Sequence, residues 1–308
     1  MRKKILILTS AILLAYNVDV NAQGCSDAGV CSMGNVESNH TYDADSVKNS
    51  YHIKLSQGVG LGEQGVINAL TSIDLSASIK DFFFQIKVPY AYNSGNLGQV
   101  AGLSDISVSA SYNLKSIEKN TYGLMLGFKL PTNESDLKIN GNSAPMPYQT
   151  SLGTFDLVVG TNMKLDKYVF ALAYQHVLNH NNRNQFIANS FTNTDANNYF
   201  TSFLFKRSND LVFRAERRFD VKNNWSVNPS TLFIYRLQND QEADIGGNYS
   251  EIKNSSGLTF NVVMNVSKKF KNENALDLSL AFPLMVRKVR PDGLTRSALV
   301  AAAYRFNL

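Results

Sequence analysis

The sequence predicts an all-β fold, a transmembrane antiparallel β-barrel of about twelve strands, and three observations predict it. Apolar and polar residues alternate with a period of two along many segments. Those segments run to ten residues or more, where globular strands average ~5 to 6 and a tilted bilayer-crossing strand needs ~9 to 11. The connectors between them alternate between short and long, as the periplasmic turns and extracellular loops of outer-membrane barrels do. Past the first twenty residues no apolar run approaches the ~20 that a membrane helix needs, which excludes a helical transporter.

The chain starts with Arg2, Lys3 and Lys4, an apolar stretch over 5–16 too short to anchor, and Val20-Asn21-Ala22, so residues 1–22 are expected to be a signal peptide. Cys25 has Ala22 rather than Leu three positions before it, which favours ordinary processing over lipidation. Removing Arg2, Lys3, Lys4 and Asp19 with the leader takes the formal charge from +5 to +3, too small an excess to suggest nucleic acid. The 23–50 segment is expected to be a plug or periplasmic cap. Cys25 and Cys31 are the only cysteines of an exported chain and are expected to form a disulfide. A soft-metal site of Cys25, Cys31 and Met33 would lack a nearby His, so no metal and no cofactor is expected.

The barrel is expected over 51–308. Alternation marks strands at 73–79, 82–90, 106–114, 122–130, 155–165, 168–178, 225–237, 258–266, 276–286 and 298–308. In 276–286, for example, Leu276, Leu278, Leu280, Phe282, Leu284 and Val286 alternate with Asp277, Ser279, Ala281, Pro283 and Met285. The runs 199–205 and 211–219 both keep their apolar residues on odd numbers, so they read as one strand with an irregularity at 208–210. With a first strand carrying Lys54 at the start of the barrel, the count is then twelve, or fourteen if 185–191 is itself a strand. Short turns are expected at 80–81, 116–120, 166–167, 220–224 and 271–274, and long polar loops at 93–105, 132–153, 179–198 and 238–253. Tyr90, Tyr92, Trp225 and Tyr304 are placed to form interfacial aromatic girdles. Tyr304, Phe306 and Leu308 alternate to the chain end, as in a terminal strand read by the barrel-insertion machinery.

If the apolar face meets outer-membrane lipid, the reverse face lines the lumen. It carries Lys54, Asp74, Lys87, Lys129, Asp156, Lys164, Arg214, Glu216, Arg218, Arg236, Asp277, Arg287 and Arg305. Most of these are expected to fill the lumen as ion pairs; Arg214, Arg236, Arg287 and Arg305 are the candidates to touch a small-molecule solute. No catalytic residue is assigned. His176 and His180 straddle a strand end, and no phosphate loop or carboxylate pair follows a strand-to-helix junction.

Several segments also resemble a known family: KVPYAYNSGNLGQVAGLSDISVSASYNL, YGLMLGFKLPTNESD and MPYQTSLGTFDLVVG, followed by FKRSNDLVFRAERRFDV, WSVNPSTLFIYRL, SSGLTFNVVMNV and VRPDGLTRSALVAAAYRFNL. They are similar to the outer-membrane barrels named for the MetA pathway of phenol degradation, related to the long-chain fatty-acid transporter superfamily, in a Bacteroidetes-like branch. The resemblance covers about residues 50 to 308. It implies a bacterial outer-membrane channel or transporter for small, often hydrophobic or aromatic, compounds, with an N-terminal plug as in the superfamily. A soluble sandwich, or a non-conducting barrel with a surface or structural role, are the other readings of the pattern.

Overall fold

A computed structural model describes Met33 and residues 49–114, 120–293 and 296–308; the expected signal peptide over 1–22, Cys25, Cys31 and nearly all of 23–48 lie outside the described residues. The strands are β1 (Ser50–Gly62), β2 (Ile67–Ile79), β3 (Phe82–Gly95), β4 (Gly98–Leu103), β5 (Ile106–Asn113) and β6 (Asn120–Leu130). Next come β7 (Lys138–Ile139), β8 (Asn142–Ser143), β9 (Thr154–Leu165), β10 (Tyr168–His180), β11 (Asp210–Arg217) and β12 (Phe219–Val221). The chain ends with β13 (Trp225–Arg236), β14 (Gln241–Ala243), β15 (Tyr249–Glu251), β16 (Gly257–Lys269), β17 (Ala275–Met285) and β18 (Arg296–Asn307).

Twelve of these form a closed antiparallel wall in the order β1-β2-β3-β5-β6-β9-β10-β11-β13-β16-β17-β18, with β1 pairing β18 from His52 opposite Asn307 to Gly62 opposite Arg296. Closure leaves no unpaired edge, which is what lets a sheet exist in hydrocarbon. β4 extends the wall beside β3, and β12 prolongs β11 past a break at Arg218. The pleat sends the apolar set outward: Leu75, Leu124, Leu280 and Val300 are 45%, 52%, 50% and 57% exposed. Tyr90 and Tyr92 lie outward at the long-loop end, and Trp225 and Tyr304 near the short-turn end. Arg217 lies over the rings of Tyr168 and Phe219 at that lower rim, covering apolar surface with its stem while its charge stays at the boundary. In the turn before β13, Asn223 and Asn224 both take left-handed backbone, which Asn tolerates better than most residues.

Three expectations are corrected. The long loop over 93–105 is instead a continuation of the wall: β3 runs to Gly95, turns at Asn96-Leu97 and returns as β4. Gly98 supplies the φ of +138° that this tight return needs. Residues 199–209 do not belong to the wall strand; β11 begins at Asp210, and the aromatics Tyr199 and Phe205 fold inward, 7% and 1% exposed. The period of two in this stretch therefore marks burial against a neighbouring loop rather than a pleat. Residues 185–191 form no strand but a 3-10 turn over Ala188–Ser190, which removes the fourteen-strand alternative.

Candidate functional site

The lumen is built from the inward half of each strand and from the long connectors, which fold into the mouth they surround. The connector 131–153 leaves β6 and crosses toward β2 and β3. There Asn93 Nδ2 donates to the carbonyls of Tyr148 (2.9 Å) and Gln149 (3.2 Å), and Asn68 Nδ2 donates to Asn93 Oδ1 (2.9 Å). The connector 181–209 locks onto it: Asn184 Nδ2 donates to the carbonyls of Ser135 and Ala144 at 3.1 and 2.9 Å, and Asn182 Nδ2 to that of Leu152 at 2.9 Å. Val66, Leu97, Val100, Ile139, Ala144, Tyr148, Phe186, Ala196 and Tyr199 give this cap its own apolar core. Burial, helped by the Tyr148 hydroxyl 3.3 Å away, pushes the Tyr199 hydroxyl well up.

Below the cap lies a belt of nine charged side chains. Lys129 bridges Asp105 (3.1 Å) and Asp156 (3.2 Å); Arg207 joins Asp156 (3.4 Å) to Asp210; Arg236 reaches Asp210 (2.6 Å), Asp240 (2.5 Å) and Asp292 (2.9 Å); Arg287 reaches Asp240 (3.5 Å) and Asp292 (2.8 Å). Four cations thus face five carboxylates, tying β6, β9, β11, β13 and the residue before β5 to the connectors 181–209, 237–256 and 286–293. Buried charge survives only with such pairing and hydrogen bonding. Burial alone would raise the Asp292 carboxyl, but Arg287 and Arg236 hold it well below the ordinary range. Burial wins at Asp240, with Asp292 adding to it, and pushes that carboxyl up. A separate latch closes the last connector onto the first hairpin: Arg290 Nε lies 2.6 Å from Glu63 Oε1, and burial still raises the Glu63 carboxyl.

The lower lumen is polar and more sparsely charged. Lys54 pairs Asp74 at 3.0 Å, Ser56 meets Ser72 at 2.6 Å, Ser267 donates to Asp277 at 2.6 Å, Ser279 to Asn265 at 2.6 Å, and Arg214 to Glu216 at 2.8 Å. Lys87 faces inward opposite Asp74 and Ser107, part-buried and without an ion pair among the described residues. At the short-turn mouth a cavity of about 330 Å³ is lined by Arg218, Asp220, Asn228, Lys269 and Arg305.

The structure thus places Lys129, Arg236 and Arg287 in the buried belt, Arg214, Glu216 and Asp277 in pairs on the lower wall, Lys87 on the β3 wall, and Arg218 and Arg305 at the lower mouth. Arg287 sits in a connector beyond β17 rather than on a strand. The sequence reading missed Asp105, Arg207, Asp210, Asp240 and Asp292, because they stand where alternation stops. The one local hint was Arg207 and Asp210 three residues apart at a strand start.

No family model matches the chain, and no curated protein is detectably similar to it. Among solved structures it is similar to the COG4313 outer membrane channel from Pseudomonas putida F1, with a TM-score of 0.60 at 12% identity over 87% of this chain and 99% of that one. The NanC porin aligns with a TM-score of 0.46 at 8% identity over 82% and 97% of the two chains. These likenesses are to the fold of outer-membrane barrels.

Proposed function

We propose that this chain is a bacterial outer-membrane channel or transporter that admits small solutes past a capped mouth. The observation that carries it is the division of the wall: a continuous apolar exterior suited to lipid, and an interior that is mainly polar and charged between the belt and the Arg218–Arg305 mouth, one apolar sector apart. Among the described residues no group of three or more His, Cys, Asp or Glu stands close enough to hold a metal ion, and conduction needs none. Residues 23–50 act as a partial plug, a reading supported by Met33, whose side chain sits on the inner wall, 1% exposed. Residues 1–22 are the export signal, Cys25 and Cys31 pair, and the terminal Tyr304, Phe306 and Leu308 address the insertion machinery. The resemblance to the MetA-pathway barrels supports a hydrophobic or aromatic solute. Planar-bilayer conductance and liposome swelling of the refolded mature chain, with and without residues 23–50, test the proposal. Conduction that rises on truncation supports it, and a barrel sealed in both forms refutes it.

One observation favours a second reading, a barrel that interacts at its surface without conducting. The folded connectors leave a polar outer cavity of about 590 Å³ lined by Asn133, Glu134, Asp136, Arg183 and Gln185. Sealing in both assays is the result this reading expects.

A further inference from the structure

Between the ionic belt and the polar lower lumen, one sector of the inner wall breaks the barrel's own rule. Across β6, β9, β10, β11 and β13 the inward positions are Met125, Val158, Ala171, Ala173, Val212, Leu232 and Ile234, a single apolar cluster. Four of them lie at one height, with Val158, Ala171 and Leu232 one inward position away: Met125 is opposite Gly160, Gly160 opposite Ala173, Ala173 opposite Val212, and Val212 opposite Ile234. Elsewhere the inner wall turns Ser72, Gln85, Ser109 and Ser111 inward, with apolar residues such as Phe83 and Val263 set among polar ones, so a contiguous apolar patch over five strands is local to this sector. Two glycines recess it. A Cβ at Gly127 would come 3.1 Å from Met33 Sδ, and one at Gly160 would lie 3.2 Å from Met125 Cε. The hollow is filled by the Met33 side chain, which comes from outside the wall and whose flexible thioether suits an irregular gap.

The upper rim is polar and incompletely bonded. Val158 is opposite Gln175, whose side chain is fully buried and whose Oε1 has no partner among the described residues. The same holds for Asp156 Oδ1 and for Arg207 Nε, one a buried acceptor and the other a buried donor. Leaving such groups buried and unpaired is unfavourable. A hydroxyl, which can donate and accept at once, satisfies a rim of this kind.

We propose that the hollow is a binding site for a small amphiphile, an apolar body of cyclohexyl size bearing one uncharged hydroxyl, and that Met33 is its intramolecular competitor. The role rests on the channel reading, which brings the solute into the lumen; the binding itself is tested independently. With the full mature chain carrying 13C-methyl methionine in detergent, cyclohexanol is expected to shift the Met33 and Met125 methyl signals saturably. Met264, on the outer face, reports partitioning into detergent. If Met33 fills the hollow about nine-tenths of the time, Met33→Ala tightens the apparent cyclohexanol affinity about tenfold at Met125, while Met33→Leu leaves it near wild type. Chlorocyclohexane, similar in shape but lacking a donor, is expected to bind several-fold more weakly. Equal responses at Met264 and Met125, or a Met33→Ala chain with unchanged affinity, overturn the proposal. Bilayer conductance of the same preparation separates the two claims. A conducting wild type whose Met33 and Met125 methyls ignore cyclohexanol overturns the site alone, and a barrel that is silent both as the full mature chain and without residues 23–50, yet whose methyls respond in the full chain, supports the site and overturns the channel.

Discussion

Arg236→Gln is the sharpest probe of the belt. The guanidinium is 2% exposed and reaches three carboxylates, Asp210, Asp240 and Asp292. Without it Asp210 keeps Arg207, while Asp240 and Asp292 must share Arg287 at 3.5 and 2.8 Å, leaving five carboxylates against three cations. Removing one partner from a buried ion pair costs about 3 to 5 kcal/mol. The wall is held by its hydrogen-bond ladder, so the loss falls on the connectors 237–256 and 286–293, which the belt joins to β11 and β13. At about 1.4 kcal/mol per decade, their opening equilibrium rises from about a hundredfold to a few thousandfold. Hydrogen exchange reads this directly at the amides of Ile252, bonded to the Asp240 carbonyl at 2.8 Å, and Val289, bonded to that of Asn254 at 3.2 Å. Asp292→Asn in the same chain should restore most of the protection by removing an orphaned charge. A change under about threefold at both amides, or wall strands opening together with them, would refute the reasoning.

Glu63 predicts a pH dependence of the same cap. Its capped-state pKa lies above the ordinary 4.5, raised by burial against the pull of Arg290, with Asp292 and Arg287 also facing it. Its contribution to closure is therefore full below 4.5 and fades as pH rises through the capped-state value. Exchange in 286–293, corrected for intrinsic rates, should slow on mild acidification, and Glu63→Gln should flatten that slope; equal slopes would sink the idea. Leu280→Arg puts a charge on the lipid face at mid-strand and should cost about 2 to 4 kcal/mol in urea titrations of the bilayer-folded barrel. Ser279→Arg, one residue away and facing the lumen, should cost clearly less, and equal costs would invert the assignment of faces. Gly293 has φ +66°, and a Cβ there would fall within the backbone of Pro147, so Gly293→Ala should free the 131–153 connector to tryptic cleavage at Lys138. Cleavage at the wild-type rate would show that the clasp carries nothing.

The wall was legible before any coordinates. A strand's side chains change face at every residue and a bilayer demands both an apolar outside and a minimum length, so the run from Leu276 to Val286 declared its class, its span and its two faces at once. Closure by twelve strands followed from keeping connector lengths consistent, even though the strand expected at 199–219 begins only at Asp210. The cap, the belt and the hollow were decided by tertiary structure. Asp105, Arg207, Asp210, Asp240 and Asp292 are scattered over nearly two hundred positions and sit at strand ends or in connectors, where no periodicity applies. They meet because closing the sheet brings strand ends around one mouth, and burial there forces each charge to find an opposite one. Met125, Val158 and Val212 carried the same lesson in reverse. An apolar residue on the inner face looks like noise along one strand and becomes a site only when five neighbouring strands align it at one height.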